Sequence, residues 1–253
     1  MNIAVITGAS SGMGKEFVKE LDKANSFDEI WVIARRQERL LELQKDVKSK
    51  IKAISLDLTD TESINEYKTM LEAEKPDVRI LVNASGFGKF SSFENTKLED
   101  SYGMIDLNDK AMVGMTYTTL PYIHEGGQIY QLCSLSSFQP VPYIGIYGAT
   151  KAFVLSFSRS LNIELKKRGI KVMAVSPGWV KTEFFNRAVS DDTITYYNRY
   201  FTANEVVVRA LKDMKKGKDV SVCGASIRMQ VLATKLLPHR LIMKIWCRQQ
   251  GKA

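Results

Sequence analysis

Short apolar runs alternate along the chain with longer amphipathic segments. The apolar runs, rich in β-branched residues, predict strands at 2–7, 29–34, 51–56, 79–83, 128–133, 171–176 and 219–224. The amphipathic segments predict helices at 12–24, 36–48, 61–74, 98–122, 147–168 and 203–216. Several strands are apolar without alternation, which is typical of strands covered on both faces. This order predicts an α/β fold, a single doubly wound parallel sheet with helices on both faces.

The composition favours one large domain in a reducing compartment. The chain has 253 residues, 45% of them hydrophobic, so we expect a single domain over 1–253. No run approaches the roughly 20 apolar residues that a membrane-spanning helix needs. Three widely spaced cysteines, Cys133, Cys223 and Cys247, favour neither a disulfide framework nor a zinc site, and no metal is predicted. With no leader-like segment before Asn2, we expect a cytoplasmic protein.

A glycine-rich turn follows the first predicted strand and opens the first helix. Gly8, Gly12 and Gly14 have the spacing G-x-x-x-G-x-G. Glycines let the backbone turn tightly and approach a pyrophosphate, which suits a helix N-terminus. Glycine turns are common, but the strand–turn–helix context favours a dinucleotide site. Ser10, Ser11 and Met13 lie in the same turn and are predicted to line that site.

Two arginines follow the second predicted strand, where dinucleotide-binding folds often have a carboxylate for the ribose 2′-hydroxyl. Ala34 takes that place, and Arg35 and Arg36 come next. Guanidinium groups pair well with a 2′-phosphate, so we expect NADP(H) to be preferred over NAD(H), with Arg35 the better candidate. Alternatively, both arginines cap a helix or remain solvated.

Polar and small residues also follow the third and fourth strands. Asp57, beside Leu58, either accepts a hydrogen bond from an adenine amino group or caps the next helix. The fourth strand ends in Asn83, Ala84 and Gly86, where small residues would let a ribose pass close by.

A tyrosine and a lysine lie one helical turn apart after the fifth strand. Tyr147 and Lys151 are four residues apart on a predicted helix and therefore share a face. A phenol with a pKa near 10 is a poor proton shuttle unless a neighbouring ammonium stabilises its anion. Ser134, at the end of the fifth strand, either hydrogen-bonds a substrate carbonyl or simply forms a turn.

Together these motifs resemble the short-chain dehydrogenase/reductase family over nearly the whole chain. In family order they are TGASSGMG (7–14), DLT (57–59), NASG (83–86), DLN (106–108), QLCS (131–134), YGATK (147–151) and SPGWVKT (176–182). The resemblance implies an NAD(P)-dependent oxidoreductase with a Rossmann fold that transfers a hydride between the nicotinamide and a carbonyl or secondary alcohol.

The resemblance also implies a role for each matched residue. Tyr147 would be the general acid/base, and Lys151 would bind the ribose and tune Tyr147. Ser134 would orient the carbonyl, and Asn108 would hold a water that connects Lys151 to solvent. The residues implied to contact the nicotinamide end are Pro177, Gly178, Val180 and Thr182.

The resemblance has one departure and leaves one rival function. The family usually reads N-N-A-G after strand four, so contacts that need the second asparagine are in doubt at Ala84, whereas backbone contacts there can survive. A regulatory NADP sensor without turnover is the alternative function, although it has no need of the full catalytic set. The expected assembly is a homodimer or homotetramer.

An aromatic segment, 183–205, follows the nicotinamide motif and is expected to determine substrate choice. Phe184, Phe185 and Tyr197 are the candidate substrate contacts. The segment is either a mobile lid over an apolar substrate or a set of rings packed on the body of the fold. The substrate itself, beyond a small carbonyl or alcohol, is not indicated.

The basic character of the chain is confined to its C-terminal end. The net charge is +8, and the residues from 205 onward, with 11 Lys/Arg and 3 Asp/Glu, carry all of it. No zinc-finger or RNA-binding motif accompanies this charge, so no nucleic-acid partner is expected. The extension 226–253 is basic and amphipathic, with an apolar stripe of Val231, Leu232, Leu236, Leu241, Ile242, Ile245 and Trp246. Three interpretations compete, namely a subunit interface, a flap near the substrate cleft and an anchor on an anionic membrane. Packing within the protein or its oligomer is favoured.

Overall fold

The computed structural model describes residues 1–189 and 191–252. Ser190, inside the expected lid, and Ala253, at the end of the expected extension, lie outside the described residues. The strands are β1 Asn2–Thr7, β2 Glu29–Ala34, β3 Lys50–Ser55, β4 Asp77–Asn83, β5 Gln128–Leu132, β6 Lys171–Val175, β7 Trp179–Val180, β8 Tyr200–Phe201 and β9 Val220–Ser221.

Seven of these strands form one parallel sheet in the order β3-β2-β1-β4-β5-β6-β9, and β7 pairs with β8 beside it. The chain order of the strands reverses between β1 and β4, where Thr7 lies opposite Asn83. In doubly wound sheets, ligands bind beyond the carboxyl ends of the strands at this reversal. The predicted fold is therefore confirmed, and the polar residues of the motifs lie at this edge.

Helices cover both faces of the sheet. They are α1 Gly12–Ala24, α2 Gln37–Leu41, α3 Thr61–Glu74, α4 Leu98–Ile105, α5 Ala111–Thr119, α6 Gly145–Glu164, α7 Phe184–Ala188, α8 Ala203–Lys215, α9 Ala225–Leu236 and α10 His239–Gln249. Among the described residues, none of these helices has the length and hydropathy to cross a bilayer.

The alternation of side chains along each strand builds two core layers. In β1, Ala4 and Ile6 point to the face covered by α1 and α8, where Phe17 is fully buried. Ile3 and Val5 point to the opposite face, covered by α3, α5 and α6. Both faces of each strand are thus buried, which explains why the strand sequences do not alternate between apolar and polar residues.

Two predicted helices are interrupted where hydrogen bonds join distant parts of the chain. The helix predicted at 36–48 ends at Leu41 and continues as a tight 3₁₀ turn, because Asp22 accepts hydrogen bonds from the backbone N–H groups of Lys48 and Ser49 at 2.8 and 2.9 Å. The helix predicted at 98–122 is divided by a π-helical turn at Asp106–Lys110.

The strand predicted at 219–224 is also shorter than expected. Only Val220 and Ser221 pair with β6. Gly224 then adopts a φ of +91°, which turns the chain directly into α9.

Candidate active site

The glycine turn lies where β1 meets β4. Gly8 has a φ of +66°, and a Cβ there would lie 2.7 Å from the backbone of Ala84. A Cβ on Gly14 would lie 2.3 Å from the carbonyl oxygen of Gly8. Both positions therefore require glycine. α1 begins at Gly12 without a side-chain cap or an acidic residue in its first turn, so its free N–H groups can bind an anion.

The segment after β4 is held by its backbone. Thr7 Oγ1 accepts hydrogen bonds from the N–H groups of Ala84 and Ser85, both at 3.1 Å. The missing asparagine at Ala84 therefore leaves the turn intact. The Asn83 side chain is buried and donates to Thr116 and Gln131, at 3.0 and 2.9 Å, so it fastens β4 to its neighbours.

The two arginines after β2 are placed differently. Arg36 reaches over the glycine turn and donates to the hydroxyls of Ser10 and Ser11, at 3.0 and 3.2 Å. It also pairs with Glu183 at 3.1 Å. Arg35 is more exposed, and its Nη1 lies 3.6 Å from Asp57 Oδ2. Arg36, not Arg35, therefore contacts the glycine turn, although Arg35 is nearer the end of the strand.

Asp57 and Leu58 lie at the end of β3. Asp57 does not cap α3, because Asp60 accepts the capping hydrogen bond from Glu62 N–H at 3.0 Å. Burial opposes ionisation of Asp57, but hydrogen bonds from Thr59 and the charge of Arg35 hold the pKa of its carboxyl below the usual value. The Leu58 side chain packs in the core, so only its backbone is available to a ligand.

Tyr147 and Lys151 lie in the first two turns of α6, on the face toward β5. Tyr147 is 8% exposed, and Lys151 is 5% exposed. The Lys151 ammonium lies 5.7 Å from the centre of the tyrosine ring and donates to the Leu132 carbonyl at 2.9 Å. Cys133, which is also buried, donates from its thiol to the Lys151 carbonyl at 3.1 Å.

Burial disfavours the charged forms of both side chains. It raises the pKa of Tyr147 above its usual value, while the Ser134 hydroxyl acts in the opposite direction. It lowers the pKa of Lys151, and Cys133 and Asp109 oppose that shift. The structure therefore does not show the expected lowering of the tyrosine pKa, because desolvation dominates.

Asn108 is buried in the π-helical turn between α4 and α5. Its amide accepts from the Phe87 N–H and donates to the Phe87 carbonyl, both at 3.0 Å, and donates to Thr150 Oγ1 at 3.0 Å. A Cβ on Gly86 would lie 2.8 Å from Asn108 Oδ1 and 3.4 Å from Lys151 Nζ. The turn thus brings the chain after β4 close to the lysine.

The SPGWVKT segment faces α6 across the site and forms its other wall. Pro177 accepts from Leu135 N–H at 2.8 Å, which fixes it beside Ser134. Val180 is buried in β7, and a Cβ on Gly178 would lie 3.3 Å from Ile227. A Cβ on Gly12 would lie 3.4 Å from Thr182, so this wall closes onto the glycine turn.

A cleft of about 1120 Å³, including its open mouth, runs between these walls. Its chemical end contains Ser134, Tyr147 and Lys151. Phe184 and Phe185, the candidate substrate contacts, also line it, and the Phe184 ring lies 5.6 Å from that of Tyr147.

Tyr197, by contrast, does not line the cleft but packs against a residue that does. Its ring packs edge-on against Trp179 at 4.9 Å, and its hydroxyl donates to Ile194 O at 3.0 Å. The aromatic segment therefore packs on the body of the fold and lines the cleft at once.

Several residues that line the cleft belong to no motif of the sequence, among them Phe90 and Trp246. Phe90 packs against Tyr147 and Phe184, with ring centres 5.8 and 6.0 Å apart. Trp246, from α10, stacks on Trp179 at 6.5 Å. Both reach the cleft through contacts distant in sequence, and no motif surrounds either one.

Residues 2–193 match the profile of the short chain dehydrogenase family. The chain belongs to the short-chain dehydrogenase/reductase family, a family of oxidoreductases. The NADP-dependent 3-hydroxy acid dehydrogenase YdfG of Escherichia coli strain K12 is 34% identical over 221 residues, which cover 83% of this chain and 87% of that protein.

Solved structures of the family have the same architecture. A short-chain dehydrogenase from Sphingobium yanoikuyae in complex with NADPH has a TM-score of 0.79 and 27% identity, covering 96% of each chain. The bulky-bulky ketone specific alcohol dehydrogenase from Comamonas testosteroni has a TM-score of 0.75 and 26% identity, covering 96% of this chain and 94% of that one.

This member of the family also has a partly buried carboxyl group next to Asn108. Oδ1 of Asp109 is shielded from solvent and has no hydrogen-bond partner among the described residues. Burial raises the pKa of Asp109 to about 7, against the opposing charge of Lys151. No sequence motif indicates this group.

The Asp109 carboxyl should make the stability of the nucleotide-free protein depend on pH. Its folded pKa lies above the unfolded value of about 3.9, so ionisation disfavours the native state and stability is lost between about pH 4 and about pH 7. We expect Asp109→Asn to gain in melting temperature over wild type across this range and to keep a constant advantage above it. Thermal melts at several pH values measure this difference.

Asp106→Asn is the matched control, because Asp106 lies in the same turn with a half-exposed side chain. A parallel pH dependence for the two variants would contradict the assignment to Asp109.

Proposed function

We propose that this protein is an NADP(H)-dependent oxidoreductase that interconverts a carbonyl compound and the corresponding alcohol. The observation that carries the proposal is the convergence of Ser134, Tyr147 and Lys151 in one cleft with the glycine turn. A regulatory protein that only bound the nucleotide would have no use for this set.

The residues around the glycine turn fit a phosphorylated dinucleotide. The free N–H groups at the start of α1 suit a pyrophosphate, and the guanidinium groups of Arg35 and Arg36 suit a 2′-phosphate. Asp57 would accept a hydrogen bond at the adenine end, and Thr182 would contact the carboxamide end. When bound, the reduced nicotinamide supplies a hydride.

Tyr147 is the proton donor in the direction of reduction. Its raised pKa keeps the phenol protonated at neutral pH, so it can donate to a substrate carbonyl oxygen as negative charge develops there. The Ser134 hydroxyl orients the same oxygen. Lys151 stabilises the Tyr147 phenolate that remains after the proton has been donated. Asn108 lies on the lysine side of the proton path and helps to position it.

The cleft favours a neutral, apolar substrate. Phe90, Phe184, Phe185 and Trp246 line it, whereas Lys151 is the one charged side chain among the described residues that line it. A carboxylate substrate would lack a cation other than the lysine at the chemical centre. We therefore propose a ketone or aldehyde with an apolar or ring-bearing body, held under the aromatic segment 183–205 acting as a lid.

The assembly we propose is a homodimer formed through α4, α5 and α6. α4 packs against α6, and the exposed side of these helices carries Tyr102, Ile105, Tyr117, Phe153 and Ile163. Tyr117 is 81% exposed, and Ile163 is 70% exposed. A second copy of the chain would remove this apolar surface from water. The three free cysteines suit a reducing cytoplasm.

Tyr147→Phe should abolish turnover while nearly preserving nucleotide affinity. Loss of a general acid costs roughly 10²- to 10⁴-fold in rate, whereas the ring still fills its place. NADPH oxidation over a panel of ketones and aldehydes measures turnover, and fluorescence titration measures NADPH binding. Tyr196→Phe removes a different hydroxyl from the cleft lining and should retain activity. Turnover by Tyr147→Phe at the wild-type rate would exclude the phenol as the proton donor.

Arg35→Ala and Arg36→Ala should each weaken NADPH binding about tenfold or more, with a much smaller effect on NADH. The reason is that only NADPH presents a 2′-phosphate to these guanidinium groups. Arg39→Ala is the control, since it removes a nearby positive charge that donates to Glu183 but, unlike Arg36, has no hydrogen bond to Ser10 or Ser11 among the described residues. Equal weakening of both nucleotides would show that neither arginine recognises the phosphate.

The double variant Tyr117→Glu and Ile163→Glu should convert the dimer to monomer, because it places like charges in an apolar contact. Sedimentation velocity measures the mass of each species. Leu232→Glu, on α9, is the control and should remain dimeric. A wild-type protein that sediments as a single chain would contradict the proposed assembly.

A further inference from the structure

The last two helices present an apolar surface to solvent. Met229, Leu232 and Leu236 lie on the outer side of α9, and Leu241 and Ile245 lie on α10. Leu237, in the link between the helices, is also exposed. These six residues define the C-terminal surface. The predicted apolar stripe is thus divided, because Val231 is buried while Leu232, Leu236, Leu241 and Ile245 face solvent.

Positive charge surrounds this surface, and its two helices contribute no negative charge. Residues 225–252 contain six lysines and arginines and no aspartate or glutamate. The six are Arg228, Lys235, Arg240, Lys244, Arg248 and Lys252. Within the part of the chain that the structure describes, none of them forms an ion pair. The charge is therefore available to an external partner.

The helices are held in place by other residues. The Trp246 indole donates to the Pro142 carbonyl at 3.0 Å. Gln250, which is buried, accepts from the N–H groups of Thr195 and Tyr196 at 2.9 and 3.0 Å. α10 itself has no buried residue among those described. Its outer apolar side chains are thus not needed for its attachment to the protein.

The chemistry of the surface selects among partners. A second copy docked on it symmetrically would bring the cations of both chains together, and like charges in an interface are unfavourable. Nucleic acid would meet the cations but leave the leucines unused. A bilayer with anionic lipids satisfies both, because apolar side chains enter the interface while lysines and arginines meet the headgroups.

We propose that the C-terminal surface binds the face of a bilayer that contains anionic lipids. The helices lie in the plane of the interface, since neither can span it. Gln230 on α9 and Trp246 and Gln249 on α10 line the cleft, so the docked surface adjoins the cleft. This proposal does not depend on turnover or on the identity of the substrate.

Sedimentation of the full-length protein with vesicles tests the proposal. One set of vesicles is phosphatidylcholine alone, and the other contains about one third phosphatidylglycerol. We expect at least tenfold more protein to bind the anionic vesicles, with binding reduced by added salt. The triple variant Arg240→Glu, Lys244→Glu and Arg248→Glu should lose this binding, and Leu236→Gln, Leu241→Gln and Ile245→Gln together should weaken it strongly.

The control makes the same change in charge at the amino ends of β6 and β9, the end of the sheet opposite the cleft. Lys166→Glu, Lys167→Glu and Lys216→Glu alter exposed lysines before β6 and β9, and this variant should bind like the wild type apart from a small effect of net charge. Circular dichroism and thermal melts confirm that every variant is folded, which all the substitutions favour because they lie on exposed residues.

Three results would overturn the proposal. The first is a wild-type protein that stays in the supernatant with anionic vesicles at low salt. The second is equal binding to neutral vesicles, or equal loss in the control variant. The third is a change in oligomeric state on altering the C-terminal surface without any binding to vesicles, which would assign the surface to a contact between copies.

Discussion

The buried ammonium group of Lys151 determines how the part of the cleft around Ser134 and Tyr147 is built. Removing a lysine charge from water is costly unless hydrogen bonds compensate for the lost hydration. Here the Leu132 carbonyl, at the carboxyl end of β5, accepts from Lys151 at 2.9 Å. The Cys133 thiol donates to the lysine's own carbonyl. These contacts fix the register of α6 against β5, and they thereby direct Tyr147, one turn earlier, into the cleft.

The same ammonium constrains the neighbouring segments. Gly86 passes so close to the lysine and to Asn108 that a side chain there would collide with the asparagine amide. Asn108 in turn is held at this point by the backbone of Phe87, on both its N–H and its carbonyl. The π-helical turn accommodates that double contact by adding a residue to the helical path, a feature that often marks functional sites.

The parts of the fold that the sequence predicted well are those determined locally. β1 and α1 have the predicted bounds, because a continuous apolar run, a glycine turn and an amphipathic segment follow one another. The errors arise where distant residues intervene. Asp22 ends the helix after β2, and Phe87 divides the helix that contains Asn108. Side-chain to backbone bonds over 20 residues leave no periodic signal.

The candidate site shows the same division. The residues at strand ends and in the glycine turn were predicted from spacing, because parallel strands bring their carboxyl ends to one edge. Phe90 and Trp246 were not, since each reaches the cleft from a segment with no motif. The sequence likewise did not predict which of the two arginines contacts the glycine turn. This depends on which guanidinium group reaches Ser10 and Ser11 in the folded chain.

The electrostatics of the site follow from how little water reaches it. Burial raises the pKa of Tyr147 and lowers that of Lys151, so desolvation opposes the charged form of each group. In the mechanism that we propose, the proton therefore stays on the phenol until negative charge develops on an acceptor nearby. In the same low-dielectric surroundings, the Lys151 charge would act more strongly on that developing charge than it would in water. The Leu132 carbonyl and Asp109 help to maintain the lysine charge, so a residue absent from the family motifs takes part in the electrostatic balance of the proposed proton-transfer site.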